Sequence, residues 1–363
     1  MSGGRAGARG GRDGQGTRAV HAGLPAPEQG APFLPGPVLA APTHLTGDAD
    51  PAGYGRYANP TWARYEAALG ELEGGDALVF ASGMAAASAV LLALLEPGDV
   101  LVAPADAYPG VRTIAAEHLR PRGVEVRLVP TDDAAIRAAL PGASLVWVET
   151  PANPLMHSVD VAGLADAAHA AGALLAVDNT LLTPYLQRPL ELGADLSVAS
   201  GTKALSGHSD LLLGHVATRA ALHRDRLRGW RDLHGAIAGP LETWLAHRSL
   251  ATLGVRIERQ GASAAALADL LRDHPAAGDV RWPGLGGVLC FDLRTQDRAE
   301  RFLAACRLVA DATSFGGVHS SAERRGRWGT DAVGPGFVRF SCGVEDTGDL
   351  IADVAQALDG VGP

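Results

Sequence analysis

Leu196-Ser-Val-Ala-Ser200-Gly-Thr-Lys203-Ala-Leu-Ser-Gly-His208-Ser-Asp210 is the stretch from which the rest of the chain can be read. Its apolar run, 196–199, has the length of a buried strand and passes straight into small and hydroxylated residues that suit a turn. Lys203 stands just beyond and is the only lysine among 31 basic side chains; the others are all arginine. Arginine supplies charge equally well but keeps its proton at any accessible pH. A lysine amine can lose its proton to desolvation or to a neighbouring cation, and can then attack a carbonyl to form a Schiff base. A lone lysine in an arginine-rich chain points to amine chemistry at this turn.

Working outward, further apolar runs lie at 77–80, 100–103, 124–128, 145–149 and 174–178, with helical spacing over 62–72, 85–95, 108–119, 133–140 and 161–171. Continuous apolar strands alternating with amphipathic helices predict an α/β fold with a parallel sheet covered on both faces. Past residue 217 the texture changes. Helices are expected over 221–233, 241–271, 298–308 and 347–358, and strands over 288–293 and 337–341, which suits a smaller α+β unit. The expected organisation is a disordered tail over 1–16, a Pro- and Gly-rich arm over 17–52, a large α/β domain over 53–234 and a C-terminal α+β domain over 235–363.

The bulk composition narrows the function. The 363 residues are 47% apolar, with a net charge of -9, which argues against a nucleic-acid surface or a polybasic membrane patch. No apolar run reaches the length of a membrane span, and the N-terminal residues lack the apolar core of a secretory signal. Three widely spaced cysteines, Cys290, Cys306 and Cys342, fit a reducing compartment better than a disulfide framework. A cytoplasmic protein without a metal is expected.

Ligands of an open parallel sheet collect at the carboxyl ends of its strands, and unusual residues fall at those ends. Ser82-Gly83-Met84 links the run at 77–80 to a helix, forming a turn able to hold phosphate on backbone N–H groups. Tyr108 follows the run at 100–103, Asn153 follows 145–149, Asp178 closes 174–178, and Lys203 follows 196–199. Singly, each has an ordinary structural explanation. Together they are the parts that a pyridoxal 5'-phosphate (PLP) enzyme requires: a lysine for the aldehyde carbon, a carboxylate for the pyridine nitrogen and an aromatic ring for stacking.

The ordered motifs Tyr54-x-Arg56 with Asn59-Pro-Thr, Ser82-Gly-Met, Thr150-Pro-x-Asn153-Pro, Val177-Asp-Asn-Thr, Ser200-x-Thr-Lys203, Ser314-Phe-Gly-Gly and Arg339-Phe-Ser-x-Gly-Val-Glu-Asp346 resemble the Cys/Met-metabolism family of PLP enzymes. The resemblance covers about 17–359 and implies the type I PLP-dependent transferase fold, with a mainly parallel seven-stranded sheet. It implies that Lys203 binds the cofactor and shuttles protons, that Asp178 pairs with the ring nitrogen and that Tyr108 stacks on the ring. Gly83, Met84, Ser200 and Thr202 would hold the phosphate, and Tyr54 and Arg56 would reach the phosphate of a neighbouring subunit. Asn153, Ser320 and Arg339 would orient the substrate's α-carboxylate, with His319 standing where many relatives carry glutamate. A homotetramer arranged as a dimer of dimers is implied, the arm aiding assembly.

The activity expected from this resemblance is α,γ-elimination of L-cystathionine to cysteine, 2-oxobutanoate and ammonia. The alternative is γ-replacement on an O-acyl-homoserine, as in cystathionine γ-synthases. Pro109 after Tyr108, Thr113 in place of a frequent arginine, and the short Arg-rich segment over 321–328 depart from the pattern, and they bear on substrate choice. A non-catalytic binder would have no use for the Lys203, Asp178 and Tyr108 set. A nucleotide-binding Rossmann protein would need a Gly-x-Gly-x-x-Gly turn after its first strand, which is absent.

Overall fold

Two sheets divide the chain, and they meet around the Lys203 turn. The computed structural model describes residues 14–48, 50 and 53–362. The first sheet contains β1 (Asp76–Phe80), β2 (Val100–Pro104), β3 (Glu125–Val129), β4 (Leu145–Glu149), β5 (Leu174–Asp178), β6 (Leu196–Ser200) and β7 (Gly214–Thr218). Its order is β1-β7-β6-β5-β4-β2-β3. Strands β2 to β6 run parallel, and β7 lies antiparallel to both β6 and β1. The expected mainly parallel sheet is present. Strand β7 was not anticipated, because its sequence Gly-His-Val-Ala-Thr is short and holds a buried histidine.

The helices packed around this sheet are α1 (Gln15–His21), α2 (Pro60–Glu73), α3 (Gly83–Leu94), α4 (Pro109–Ile114), α5 (Asp133–Ala139), α6 (Val161–Ala170), α7 (Thr183–Leu186) and α8 (Ala221–His234). Local chemistry sets their ends. The Asn59 side chain accepts the Thr61 N–H at 2.8 Å and Pro60 opens α2, while Gly74 closes it with φ +82°. The helix expected over 108–119 is α4 continued by a wider turn, Ala115–Leu119.

The tail expected to be disordered over 1–16 lies outside the described residues as far as residue 13. Beyond that the expectation needs correction: Gln15 and Gly16 begin α1, and the Gln15 amide donates to Pro184 O at 2.8 Å. The arm that follows is irregular, as its prolines dictate. It is held by Val38 N–H to Thr61 Oγ1 at 2.9 Å and by Trp244 Nε1–H to Pro35 O at 2.9 Å.

The second sheet, in order β10-β11-β12-β9-β8, contains β8 (Gly278–Arg281), β9 (Val288–Asp292), β10 (Ala310–Asp311), β11 (Ser321–Arg324) and β12 (Phe337–Ser341). Its helices are α9 (Pro240–Leu250), α10 (Leu253–Asp273), α11 (Gln296–Ala305) and α12 (Thr347–Asp359). The single helix expected over 241–271 is two, broken at Ala251–Thr252. Buried Arg256, one turn past the break, donates to Ala204 O at 2.6 Å, Leu205 O at 3.0 Å and Ser249 O at 3.0 Å. The helix expected to reach residue 308 stops at Ala305, because Arg307 and Leu308 N–H groups turn to the Asp353 carboxylate at 2.9 and 2.8 Å.

The core changes hands along α10. Leu253 and Ile257 pack with Trp62, Leu69 and Ala199 beneath the large sheet. Ala264, Leu267 and Leu271 pack with Phe291, Phe302 and Phe340 under the small one.

Candidate active site

A cavity of about 460 Å³ lies at the carboxyl ends of the parallel strands. Its near side comes from the large sheet: Ser82, Gly83 and Met84 after β1, Tyr108 after β2, Glu149 and Asn153 around the end of β4, Asp178 and Thr180 at β5, and Ser200, Thr202 and Lys203 at β6. Ser314, Phe315, Arg325, Trp328 and Arg339 close it from the smaller sheet and its loops.

Lys203 Nζ donates to Ser314 Oγ at 2.6 Å and lies 5.0 Å from the centre of the Phe315 ring. Burial and then the Arg339 guanidinium lower its pKa to about 8, with Glu323 opposing the shift. Much of the amine is therefore neutral at mildly alkaline pH, as a nucleophile or proton acceptor must be.

Asp178 accepts the Thr180 N–H at 3.0 Å. Burial raises its pKa, while its bonds to Thr180 and the proximity of His215 favour the anion. Beside it in register is Glu149, which sequence reasoning did not single out. Burial first, then the Asp178 charge, raises the Glu149 pKa well above the carboxylate range. Of two buried carboxyls side by side, both are pushed up by burial, and Glu149, which lacks the Thr180 bonds that favour the Asp178 anion, is pushed further. Glu149 Oε1 also accepts the Tyr108 N–H at 2.5 Å, fixing the start of α4.

The Ser82 hydroxyl caps α3 by accepting the Ala85 N–H at 3.0 Å, so the positive end of a 12-residue helix opens at the cavity. A Cβ on Gly83 would lie 2.7 Å from Ser200 Cβ, so only glycine lets the two turns meet here. Close-set backbone N–H groups and the Ser200 hydroxyl line an anion cradle of the kind a phosphate fits, beside Thr202, whose hydroxyl donates to Leu213 O at 3.2 Å and accepts Leu213 N–H at 3.0 Å. Gly110 plays a similar part, since a Cβ there would sit 2.6 Å from Met84 Sδ and 3.1 Å from the Tyr108 ring. These donors, with the buried Asp178 carboxyl and the depressed Lys203 amine, fit PLP.

Arg339 is buried on β12. It donates to Asn153 Oδ1 at 2.7 Å and Ser314 O at 3.0 Å, and forms an ion pair with Glu323. Burial lowers its pKa, yet a guanidinium between such acceptors stays charged and suits a carboxylate ligand.

Ser320 lines the adjoining cavity rather than this one. Its hydroxyl donates to Glu345 at 2.8 Å and accepts the Gly343 N–H at 2.8 Å, and the residue is buried. Ser314, six positions earlier, takes the place beside Lys203. His319 is exposed and lines the same adjoining cavity. The signal for Ser314 was in its own motif, Ser314-Phe-Gly-Gly. Gly316, at φ +81°, packs against the Lys203 turn 2.5 Å from where its Cβ would meet Ala204 N. Tyr54 and Arg56 do not line their own chain's cavity; Arg56 donates to Asp232 O at 3.1 Å and stacks over Tyr57.

A type I α/β fold with a lysine, a buried aspartate and a phosphate cradle on its strand ends defines a PLP-dependent enzyme of amino-acid metabolism. More narrowly, residues 40–359 match the family described as Cys/Met metabolism PLP-dependent enzyme, and the chain belongs to it. A Streptomyces coelicolor protein provisionally named cystathionine gamma-lyase is 54% identical over 95% of this chain and 94% of its own length. The L-methionine gamma-lyase of Pseudomonas deceptionensis is 38% identical over 94% of this chain and 96% of that protein. The crystal structure of an apo methionine gamma lyase from Micromonospora echinospora superimposes with a TM-score of 0.89 at 38% identity, covering 94% of this chain and 98% of the other. The protein is a PLP-dependent enzyme acting by γ-elimination or γ-replacement. Among the described residues no helix is long and apolar enough to cross a membrane.

Proposed function

We propose that this protein is a lyase that splits L-cystathionine and water into cysteine, 2-oxobutanoate and ammonia. The observation that carries the reading is the Lys203 amine, held by Ser314 with its pKa near 8, adjoining a buried arginine anchor. When bound, PLP supplies the electron sink that lets a carbanion form at the substrate's α-carbon.

This chain's residues supply the rest. Asp178 would pair with the ring nitrogen, while Gly83, Met84, Ser200 and Thr202 would retain the phosphate. Arg339 and Asn153 hold the substrate's α-carboxylate and so aim its Cα–H at Lys203 Nζ. The amine would take that proton, become neutral again by delivering it elsewhere on the bound substrate and cofactor, and only then take a second from the β-carbon, whose electron pair expels the thiolate from Cγ. Tyr108, pinned by Glu149, covers the ring and assists the proton transfers. In this reading residues 53–234 carry the cofactor and 235–363 the substrate wall. Tyr54 and Arg56 reach the phosphate of a neighbouring subunit in a cytoplasmic homotetramer, aided by the arm over 17–52.

A γ-replacement reading has one observation in its favour. The adjoining cavity shares Thr202, Leu212, Thr313, Ser314 and Phe315 with the first, leaving a route by which a thiol could enter. A product assay on cystathionine, methionine, homocysteine and O-acyl-homoserines, with and without cysteine, separates the two. Release of 2-oxobutanoate from cystathionine without added thiol is expected. Cystathionine formed from an O-acyl-homoserine and cysteine as the sole activity would replace the lyase reading with the synthase one.

A further inference from the structure

The wall of the cavity opposite the cofactor residues contains groups that the proposed mechanism leaves unused: Arg325, Trp328 and Thr330, together with Pro109 and Val111. The two segments are tied to each other. Arg112 donates from Nε to Ala107 O at 2.9 Å and from Nη2 to Thr330 O at 2.7 Å, so the start of α4 and the 328–330 turn close on one another.

Behind them sits one buried carboxylate. Glu323 accepts Trp328 Nε1–H on Oε2 at 2.9 Å, while Oε1 takes Arg325 Nη1 at 2.7 Å and Arg339. The side chain that aims the α-carboxylate anchor therefore also fixes the indole. Trp328 is 52% exposed, so its ring has a wet side as well as the side that lines the cavity. Arg325 shares this wall, but Glu323 and Asp331 already balance its charge, the latter accepting from Nε at 2.9 Å. A wall of indole, proline and valine, with a guanidinium already paired to carboxylates, offers carbon and sulfur an apolar surface to lie on.

We propose that Trp328 is the specificity-determining residue for the part of the substrate beyond its sulfur atom: its indole is the surface on which the S-linked carbon lies, and Glu323 positions it. The proposal rests on the γ-elimination reading above. Its substrate class is the thioether, in which carbon continues past sulfur, as opposed to the free γ-thiol.

Steady-state kinetics of the PLP-loaded wild type, W328F and W328A with cystathionine, methionine and homocysteine test it. W328A should raise KM for both thioethers and lower their kcat/KM about tenfold or more, the scale set by losing one or two carbon contacts. Homocysteine, with nothing beyond its sulfur, should change by less than about threefold on the same scale. W328F keeps a ring but loses the bond to Glu323, and should fall between. The visible absorption of the bound cofactor should be the same in all three proteins. Equal losses for thioethers and homocysteine, or none for either, overturn the Trp328 assignment while leaving γ-elimination standing. A wild type that turns over none of the three substrates overturns both.

Discussion

The two halves of the cavity are made in different ways. The cofactor half is assembled from strand ends of one parallel sheet, where Tyr108, Asp178 and Lys203 each stand at or just past the strand that carries them. Sheet topology alone brings them together. The substrate half is assembled from loops of the smaller sheet, and Ser314, Glu323, Arg325 and Trp328 are held by a side-chain network centred on one buried carboxylate. Position along the chain predicts the first half. Only hydrogen-bond partners predict the second.

The sharpest way to break this division is at Lys203. K203R keeps the charge and should abolish turnover and the fixing of PLP by borohydride; retained activity by product assay would remove the lysine from the mechanism. On the substrate side, R339K loses the planar fork between Asn153, Ser314 and Glu323. With the burial of that site, kcat/KM should fall about thirtyfold or more, chiefly through KM.

A paired test separates Ser314 from Ser320. S314A should lower kcat/KM about tenfold, a lost hydrogen bond to a charged group. S320A should leave KM alone but cost about 1–3 kcal/mol of stability by removing the partner of Glu345 Oε2 and of the Gly343 N–H. The reverse pattern in kinetics and thermal melts would restore the original placement.

Smaller still is a pH effect. Lys203 is protonated below its pKa and nucleophilic above it, so the rate at which PLP-free protein captures PLP should rise with pH through about 8. Glu323 favours the protonated amine, so E323Q should move that midpoint down, and no movement would show that the two do not interact. R56A should loosen PLP retention a few-fold in the assembled enzyme by equilibrium dialysis; unchanged retention would argue against the cross-subunit contact.

How legible the molecule was follows the same division. Apolar runs at 145–149 and 174–178 are β4 and β5 to the residue, because buried parallel strands must be continuous. Strand β7 was missed, as was the break at Ala251–Thr252, where the helix yields so that Arg256 can reach three carbonyls across space. Ser314 was passed over in favour of Ser320 for a comparable reason. Two serines six residues apart look alike in sequence, and only Glu345, arriving from beyond β12, decides which of them turns inward.

Helix α10 has a mechanical meaning. Its first turns belong to the large core and its last to the small one, and between them Arg256 grips the carbonyls of the very turn that carries Lys203. The helix is a crossbeam joined to both frames, with the reactive amine fastened to it. Melting the smaller sheet would withdraw half of that beam's support, so the lysine's geometry stands or falls with a core that contributes no atom to the cofactor cradle.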